Sequence, residues 1–203
     1  MQYGARGARF APFAADYVPT AGQAPTYGAP VSFAPLVKVT ESPSFNTVKA
    51  YGDDRVTGQM SEFKECPIAI EVNDLPIDTA KAVLGGNVGE DGALIRSTED
   101  TIPFGGFCYH IHALLPDVNK KVWRSYFFPR VQATMQGHDY STKGESVVLS
   151  NEKLTLNAMA AMDNNWRYDS PDFDTEEQAI AWENTKFGVT TPAADPEADP
   201  EAT

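Results

Sequence analysis

The sequence predicts a mainly β protein, a β-sandwich or barrel-like fold with two short helices, and three observations support this. Fifteen Gly and fifteen Pro residues among 203 favour short strands joined by tight turns over a helical bundle. Eleven Phe and eight Tyr residues favour the same fold class. Strand-like alternation of apolar and polar residues recurs from residue 34 onward. The hydrophobic fraction of 42% is enough for a real core.

The composition divides the chain into three parts. Residues 1–33 predict an N-terminal arm, because prolines at four positions prevent regular structure over most of it: Pro12, Pro19, Pro25 and Pro30. Residues 34–188 form the predicted β-sandwich domain. Residues 189–203 are rich in Pro and acidic residues, so we expect a disordered acidic tail.

Strand patterns occur in segments 45–51, 66–73, 106–115, 122–130 and 145–156. The clearest is 66–73, where Ile68, Ile70 and Val72 share one face. Segments 106–115 and 122–130 are joined by a turn-like stretch and predict a hairpin.

Two helices interrupt the strands. The first spans residues 77–84, with Asp74 as its cap, Pro76 in its first turn and Gly85-Gly86 after its end. The second starts at Asp174, has a capping-box Glu177 and runs to about Phe187. Its expected buried stripe contains Ala179, Ile180 and Phe187, with Trp182 at the edge.

Charge and cysteine content exclude several classes of protein. A formal net charge of −12 argues against nucleic-acid or anionic-membrane binding, which needs a basic patch. Two cysteines are too few for a disulfide framework. The first twenty residues lack a signal peptide, and no apolar run is long enough to cross a membrane. We therefore expect a protein made in a cytoplasm.

The strongest candidate for chemistry is the alternating set Cys108, His110 and His112. Alternate residues of a strand lie on one face about 6.8 Å apart, so two histidines could share a zinc with Cys108 or Cys66. The opposite face is apolar, which places the histidines on a wetter or subunit-facing side and favours a strand without a metal; its residues are Phe107, Tyr109, Ile111, Ala113 and Leu115. His138 has no clear relation to them.

Catalytic motifs are missing from the sequence. It has no nucleophile elbow and no glycine-rich phosphate loop before a helix. Adjacent acids such as Asp53 and Asp54 fall in loop-like stretches, where carboxylates are usually solvated. We therefore expect neither an enzyme nor a cofactor, and a metal-dependent enzyme built on His110 and His112 is the least favoured function.

Four sequence strings, in order over residues 34–187, carry a resemblance to a known family. They are YGDDRV at 51–56 followed by IAIEVNDL at 68–75, PFGGFCY at 103–109 followed by YFFPRV at 126–131, TKGES at 142–146, and FDTEEQAIAW at 173–182. Together they resemble the major tail (tail tube) proteins of siphophages, bacteriophages with long non-contractile tails. The Ala/Pro-rich arm and the Cys108-x-His110-x-His112 pattern depart from that family.

The resemblance implies a structural virion protein assembled in the host cytoplasm. Its subunits would form hexameric rings that stack into a hollow tail tube, through which genomic DNA passes on ejection without specific binding. The implied partners are further copies of the chain and the tape-measure, tail-terminator and tail-tip proteins, with no membrane contact. The alternative is a phage decoration or tail-tip β-sandwich binding module, which would remain a small oligomer and expose aromatics such as Trp123.

We expect the assembly surface to comprise the N-terminal arm and a polar, flexible loop at 51–65. Nine residues represent it: Phe10, Phe13, Tyr17, Tyr51, Asp53, Asp54, Arg55, Glu62 and Phe63. Aromatic residues are unusually frequent in the arm for a free disordered tail, which favours ordering against a neighbouring subunit. A floppy terminus and an ordinary solvated loop remain the alternatives.

Overall fold

The computed structural model describes residues 1–135, 137 and 151–189, which form eleven strands and two helices. The strands are β1 Gln2–Pro12, β2 Val31–Ser32, β3 Leu36–Glu41, β4 Ser44–Gly52, β5 Arg55–Val72, β6 Asn87–Val88, β7 Leu94–Ile95, β8 Phe104–Leu115, β9 Lys120–Thr134, β10 Glu152–Ala158 and β11 Tyr168–Asp169. The helices are α1 Ile77–Leu84 and α2 Glu176–Phe187. The predicted mainly β fold with two helices is confirmed.

Nine of the strands form one antiparallel sheet with the order β2-β1-β8-β9-β10-β5-β3, to which β4 adds on β5 and β11 on β9. The sheet curls until β3 approaches β1, so its concave side encloses the main core. The largest fully buried apolar side chains of that core are Phe10, Phe107, Phe128, Ile68, Ile70 and Leu156. Burying each stabilises the fold by about 1.5–3 kcal/mol.

The predicted strands are largely confirmed. Ile68, Ile70 and Val72 share a buried face within β5. The predicted hairpin forms from β8 and β9. The strand predicted at 145–156 is seen from Glu152 onward, whereas residues 145–150, His138 and the predicted tail after Val189 lie outside the described residues.

Helix α1 has the predicted bounds, with Pro76 at its N-cap and Gly85 at its C-cap, although Asp74 accepts a hydrogen bond from the Leu75 amide and does not cap the helix. Helix α2 begins later than predicted, since Thr175 is the N-cap and its hydroxyl accepts from the Gln178 amide. No helix in the described part of the chain is long and apolar enough to cross a membrane.

The predicted arm without regular structure is wrong for Gln2–Pro12. This segment is β1, which pairs with β8 along its length and with β2 near Phe10. Only the later prolines of the predicted arm fall in the irregular stretch between β1 and β2. The N-terminus is therefore part of the sheet and of the core.

Strand β1 contains two tandem Gly-Ala-Arg triplets, residues 4–9, and each produces a β-bulge. Gly4 and Gly7 both have φ +66°, and three residues of β1 oppose two of β8 in each bulge. As a result Arg6 pairs with His110 and Arg9 with Cys108 on successive outward positions. The period of three hides the alternation that predicts a strand, which is why sequence reasoning missed β1.

Replacing Gly7 with Ala should destabilise the protein more than the same change at Gly22. Both glycines have positive φ, so each Ala adds about 1–2 kcal/mol of backbone strain. At Gly7 the new Cβ would lie 2.1 Å from Cε1 of His110, whereas nothing lies within 4 Å at Gly22. The overlap should cost about 1–3 kcal/mol more. Urea unfolding measures both losses, and equal values would contradict the close approach.

Candidate assembly surface

The most exposed regular element is the hairpin formed by β4 and the Arg55–Glu65 part of β5. Every described side chain from Phe45 to Glu62 is exposed, on both faces of the ribbon. Five large apolar side chains are between 51% and 70% exposed: Phe45, Val48, Tyr51, Val56 and Met60. A two-stranded hairpin with no covered face is marginally stable alone in water, so this element is suited to contact with another molecule.

The predicted flexible loop at 51–65 is wrong, because these residues belong to the hairpin. Tyr51 pairs with Val56 and Gly52 with Arg55, which leaves Asp53 and Asp54 as a two-residue turn. Both aspartates have positive φ, +48° and +58°, as type I′ turns require. The sequence of this segment shows little alternation of apolar and polar residues, which is the pattern that predicts a strand. Neither face of the hairpin is buried, so its fold does not require that pattern.

The base of the hairpin is anchored to the body of the protein by stacked aromatic rings. Phe63 stacks on Trp166 with ring centroids 4.4 Å apart, and Phe45 packs edge-on against Phe63 at 5.9 Å. Both Phe63 and Trp166 are half-buried against the main core. Phe63 therefore holds the hairpin in place, whereas Tyr51, Asp53, Asp54, Arg55 and Glu62 lie exposed nearer its tip.

The aromatic residues predicted for the arm do not join the hairpin. Phe10 has no exposed surface and lies in the main core, so its assignment to an assembly surface is wrong. Phe13 and Tyr17 are half-buried and pack together with ring centroids 4.9 Å apart. Phe13 also pairs with Tyr27 just beyond β1, far along the sheet from the hairpin tip. The hairpin alone retains the predicted exposure.

Cys108 and His110 lie on the face of β8 opposite the main core, as predicted, but they are buried and not exposed to solvent. Helix α2 covers this face, and His110 is 2% exposed. Its Nδ1 lies 2.9 Å from Oε1 of Glu183 and its Nε2 lies 3.1 Å from Oε1 of Glu176. Among the described residues no group of three or more His, Cys, Asp or Glu side chains could hold a metal ion.

A buried ion pair completes this cluster and was missed from the sequence. Arg9 Nη2 donates to Oε2 of Glu183 at 2.5 Å, and its Nη1 donates to the Asn184 side chain at 2.6 Å. Burial opposes ionisation of Glu183, but hydrogen bonds from His110 and Arg9 hold its pKa below the ordinary value. Burial, with the Glu183 charge, raises the pKa of the Cys108 thiol, so it is suited to packing and not to reactivity.

His112 and Trp123 stack beside this cluster, with ring centroids 3.7 Å apart. Burial and the neighbouring Arg6 lower the pKa of His112. The Arg6 guanidinium also lies 5.2 Å from the centre of the Trp123 ring. Trp123 is therefore half-buried between a cation and an imidazole, unlike the open aromatic surface that a glycan-binding module would present.

Comparison of the chain with protein-family models gives no match, and comparison with curated proteins gives no significant match. The candidate surface is therefore defined by geometry alone. It is an exposed β-hairpin that carries several exposed apolar side chains and is held at its base by Phe63 and Trp166. Such a surface can bind another protein chain, through its faces or its strand edges.

Proposed function

We propose that this chain is the tail tube subunit of a siphophage, which polymerises as stacked hexameric rings into the conduit for genomic DNA. The four strings that resemble the family's major tail proteins support this, and so does the mainly β fold. In this proposal the chain acts through contacts with copies of itself.

The observation that carries the proposal is the exposed β4–β5 hairpin. Within the described residues, β4 pairs only with β5, and the Arg55–Glu65 part of β5 pairs only with β4. The ribbon therefore has two open strand edges as well as two exposed faces. Open edges and exposed apolar faces are an aggregation hazard in a monomer, and contact with further copies would cover them.

Repeated contact between two different surfaces also accounts for a polymer. A head-to-tail contact between unlike patches closes into a ring when its rotation permits and otherwise continues as a filament. A tail tube needs both results, with closed rings laterally and open growth along the axis. The hairpin is suited to such contacts because it extends away from the body: its eleven residues on β5 span about 35 Å at about 3.3 Å per residue.

Shortening the hairpin should abolish polymerisation and leave the body folded. Phe45 lies directly opposite Phe63, so an Asn-Gly turn replacing residues 46–62 can join them as a tight hairpin. In negative-stain electron microscopy at high concentration, the full chain should form hollow tubes or six-fold rings and the shortened chain only dispersed monomers. Circular dichroism and thermal unfolding should show a native fold in both.

Two results would count against the proposal. Normal tubes from the shortened chain would exclude the hairpin as an assembly element. A full chain that remains a monomer or a small defined oligomer in both low and high salt would favour the decoration or tail-tip binding module.

A further inference from the structure

Helix α2 covers a second, smaller core on the convex face of the sheet. Four buried residues form this second core: Ala11, Cys108, Phe127 and Phe187. The main core, on the concave face, contains many more buried side chains, and among the described residues none of them comes from α2. A small cluster outside the main core opens at a lower free energy than the core itself, because fewer apolar contacts are lost. Release of α2 would therefore leave the main core in place.

Helix α2 buries few of its own side chains. Of its twelve residues only Ala179, Glu183 and Phe187 are buried, and one of these three is charged. Phe187 is the large apolar residue of the set and packs edge-on against Phe127, with ring centroids 5.0 Å apart. The apolar attachment of α2 to the sheet therefore depends mainly on one buried ring.

Charged groups supply the other contacts of α2. Glu183 contacts Arg9 and His110, and Glu176 contacts His110 and, more distantly, Arg6. A buried ion pair has a small net effect on closing a contact, because the hydration that both ions lose offsets most of their attraction. When α2 moves away, water returns to both partners together. Closing α2 is therefore only weakly favoured by these pairs, although removing one partner alone leaves the other ion buried and is strongly destabilising.

The attachment of this segment to the sheet ends just before α2 begins. Strand β11 pairs with β9, and Phe173 exchanges two backbone hydrogen bonds with Trp123, at 2.8 and 2.9 Å. Helix α2 belongs to no sheet, and its caps, Thr175 and Gly188, form their hydrogen bonds within the segment. The two residues between Phe173 and α2 can therefore act as a hinge, and no strand pairing is broken when α2 moves.

We propose that α2 is a cover that opens as a unit at these two residues while the sheet and the main core stay folded. In the open state Arg9, Cys108 and His110 face solvent together. The opening belongs to a single copy of the chain, so it goes beyond the proposed tube function and needs no neighbouring copy.

The two native cysteines report on this opening. Cys108 lies beneath α2 beside Arg9 and Glu183, whereas Cys66 lies in the main core, and neither has exposed surface. Burial raises the pKa of both thiols, so each reacts with a thiol reagent only after it becomes exposed. In the single-thiol variants Cys66→Ala and Cys108→Ala, labelling by dithiobis(nitrobenzoate) should be at least about tenfold faster at Cys108 than at Cys66.

Low concentrations of urea distinguish opening of α2 from global unfolding. The urea dependence of Cys108 labelling should be less than about half that of global unfolding followed by circular dichroism, because release of α2 exposes little surface. Cys108 labelling with the full urea dependence of global unfolding would overturn the proposal, and so would a Cys108 that is not labelled until the chain unfolds.

Two substitutions, each made in both single-thiol variants, locate the opening. Ile70→Val, in the main core, should raise the labelling rate of Cys66 about two- to tenfold and leave that of Cys108 unchanged. Glu183→Gln should raise the labelling rate of Cys108 about a hundredfold or more, because it removes contacts of the closed helix. Equal effects of Ile70→Val on both cysteines, or a Cys108 rate that Glu183→Gln leaves unchanged, would overturn the proposal. If Glu183→Gln does not fold, the Ile70→Val comparison and the urea dependence still decide.

Discussion

Replacing Glu183 with Gln should lower the free energy of unfolding by about 3–5 kcal/mol. The Glu183 side chain has no exposed surface and contacts Arg9 at 2.5 Å and His110 at 2.9 Å. A neutral amide leaves the guanidinium of Arg9 largely buried without its counter-charge. It also replaces a carboxylate oxygen that faces Arg9 or His110 with an N–H group. Urea unfolding at neutral pH measures the loss.

The same substitution should change the acid dependence of stability. His110 and Arg9 hold the pKa of Glu183 below its ordinary value against the opposing effect of burial. A carboxyl group with a lowered folded-state pKa stabilises the protein above its unfolded pKa of about 4.3, and this stability is lost as the pH falls through the folded value. The difference between the native chain and Glu183→Gln should therefore be largest near neutral pH and shrink as the pH falls below the unfolded pKa of about 4.3.

Glu176 provides the matched control on the same helix. It also contacts His110, at 3.1 Å, but its side chain is 34% exposed and lies 3.8 Å from Arg6. A partly exposed pair of this kind contributes about 0–1 kcal/mol, so Glu176→Gln should have a small effect. If Glu183→Gln lowers the free energy of unfolding by as little as Glu176→Gln does, the buried ion pair does not stabilise the contact between α2 and β1.

The sequence predicted elements whose signals are local. Helix α1 was placed with correct bounds because Pro76 and Gly85 mark its ends through backbone geometry alone. The buried face of β5 was found because Ile68, Ile70 and Val72 alternate with the smaller or polar residues of segment 69–73. In each case the pattern within a few residues determines the structure.

The elements it missed depend on contacts that are distant in the sequence. In strand β1 the sequence repeats every three residues, and each repeat forms a bulge opposite β8, about a hundred residues away. The strand is therefore recognisable only once its partner strand is known. Glu183 occupies a stripe position of α2, between Ala179 and Phe187, but its partners come from β1 and β8. A carboxylate on a helix stripe normally predicts an exposed edge, and only the fold reveals its buried counter-charges.

The structure confirms the exposure of some, but not all, of the residues predicted for an assembly surface. Tyr51, Asp53, Asp54 and Arg55 are exposed together at the hairpin turn, and Glu62 is exposed near the hairpin base. The prediction relied on polarity and length, which do not distinguish a loop from a ribbon with two solvent-exposed faces. For Phe10 the reasoning failed, because an aromatic residue in a proline-rich segment can belong to the core as well as to an interface.

Replacing Phe10 with Ala should lower the free energy of unfolding by about 3–5 kcal/mol. Phe10 has no exposed surface and lies in the main core between β2 and β8, which both pair with β1 beside it. Removing its ring would leave a cavity that is closed to solvent. Under the proposed tube function, the substitution should reduce polymerisation only as far as it unfolds the chain, so tubes should persist at temperatures where the variant remains native.

Tyr51→Ala should have the opposite effects. Tyr51 is 70% exposed on the hairpin, so its removal should change the free energy of unfolding by no more than about 0.5 kcal/mol. Under the proposed tube function it should nevertheless abolish tubes, because the hairpin is proposed to contact neighbouring copies. Thermal unfolding and electron microscopy on both variants separate the two roles. If Tyr51→Ala polymerises normally while Phe10→Ala stays folded but dispersed, then β1 and not the hairpin is the assembly element.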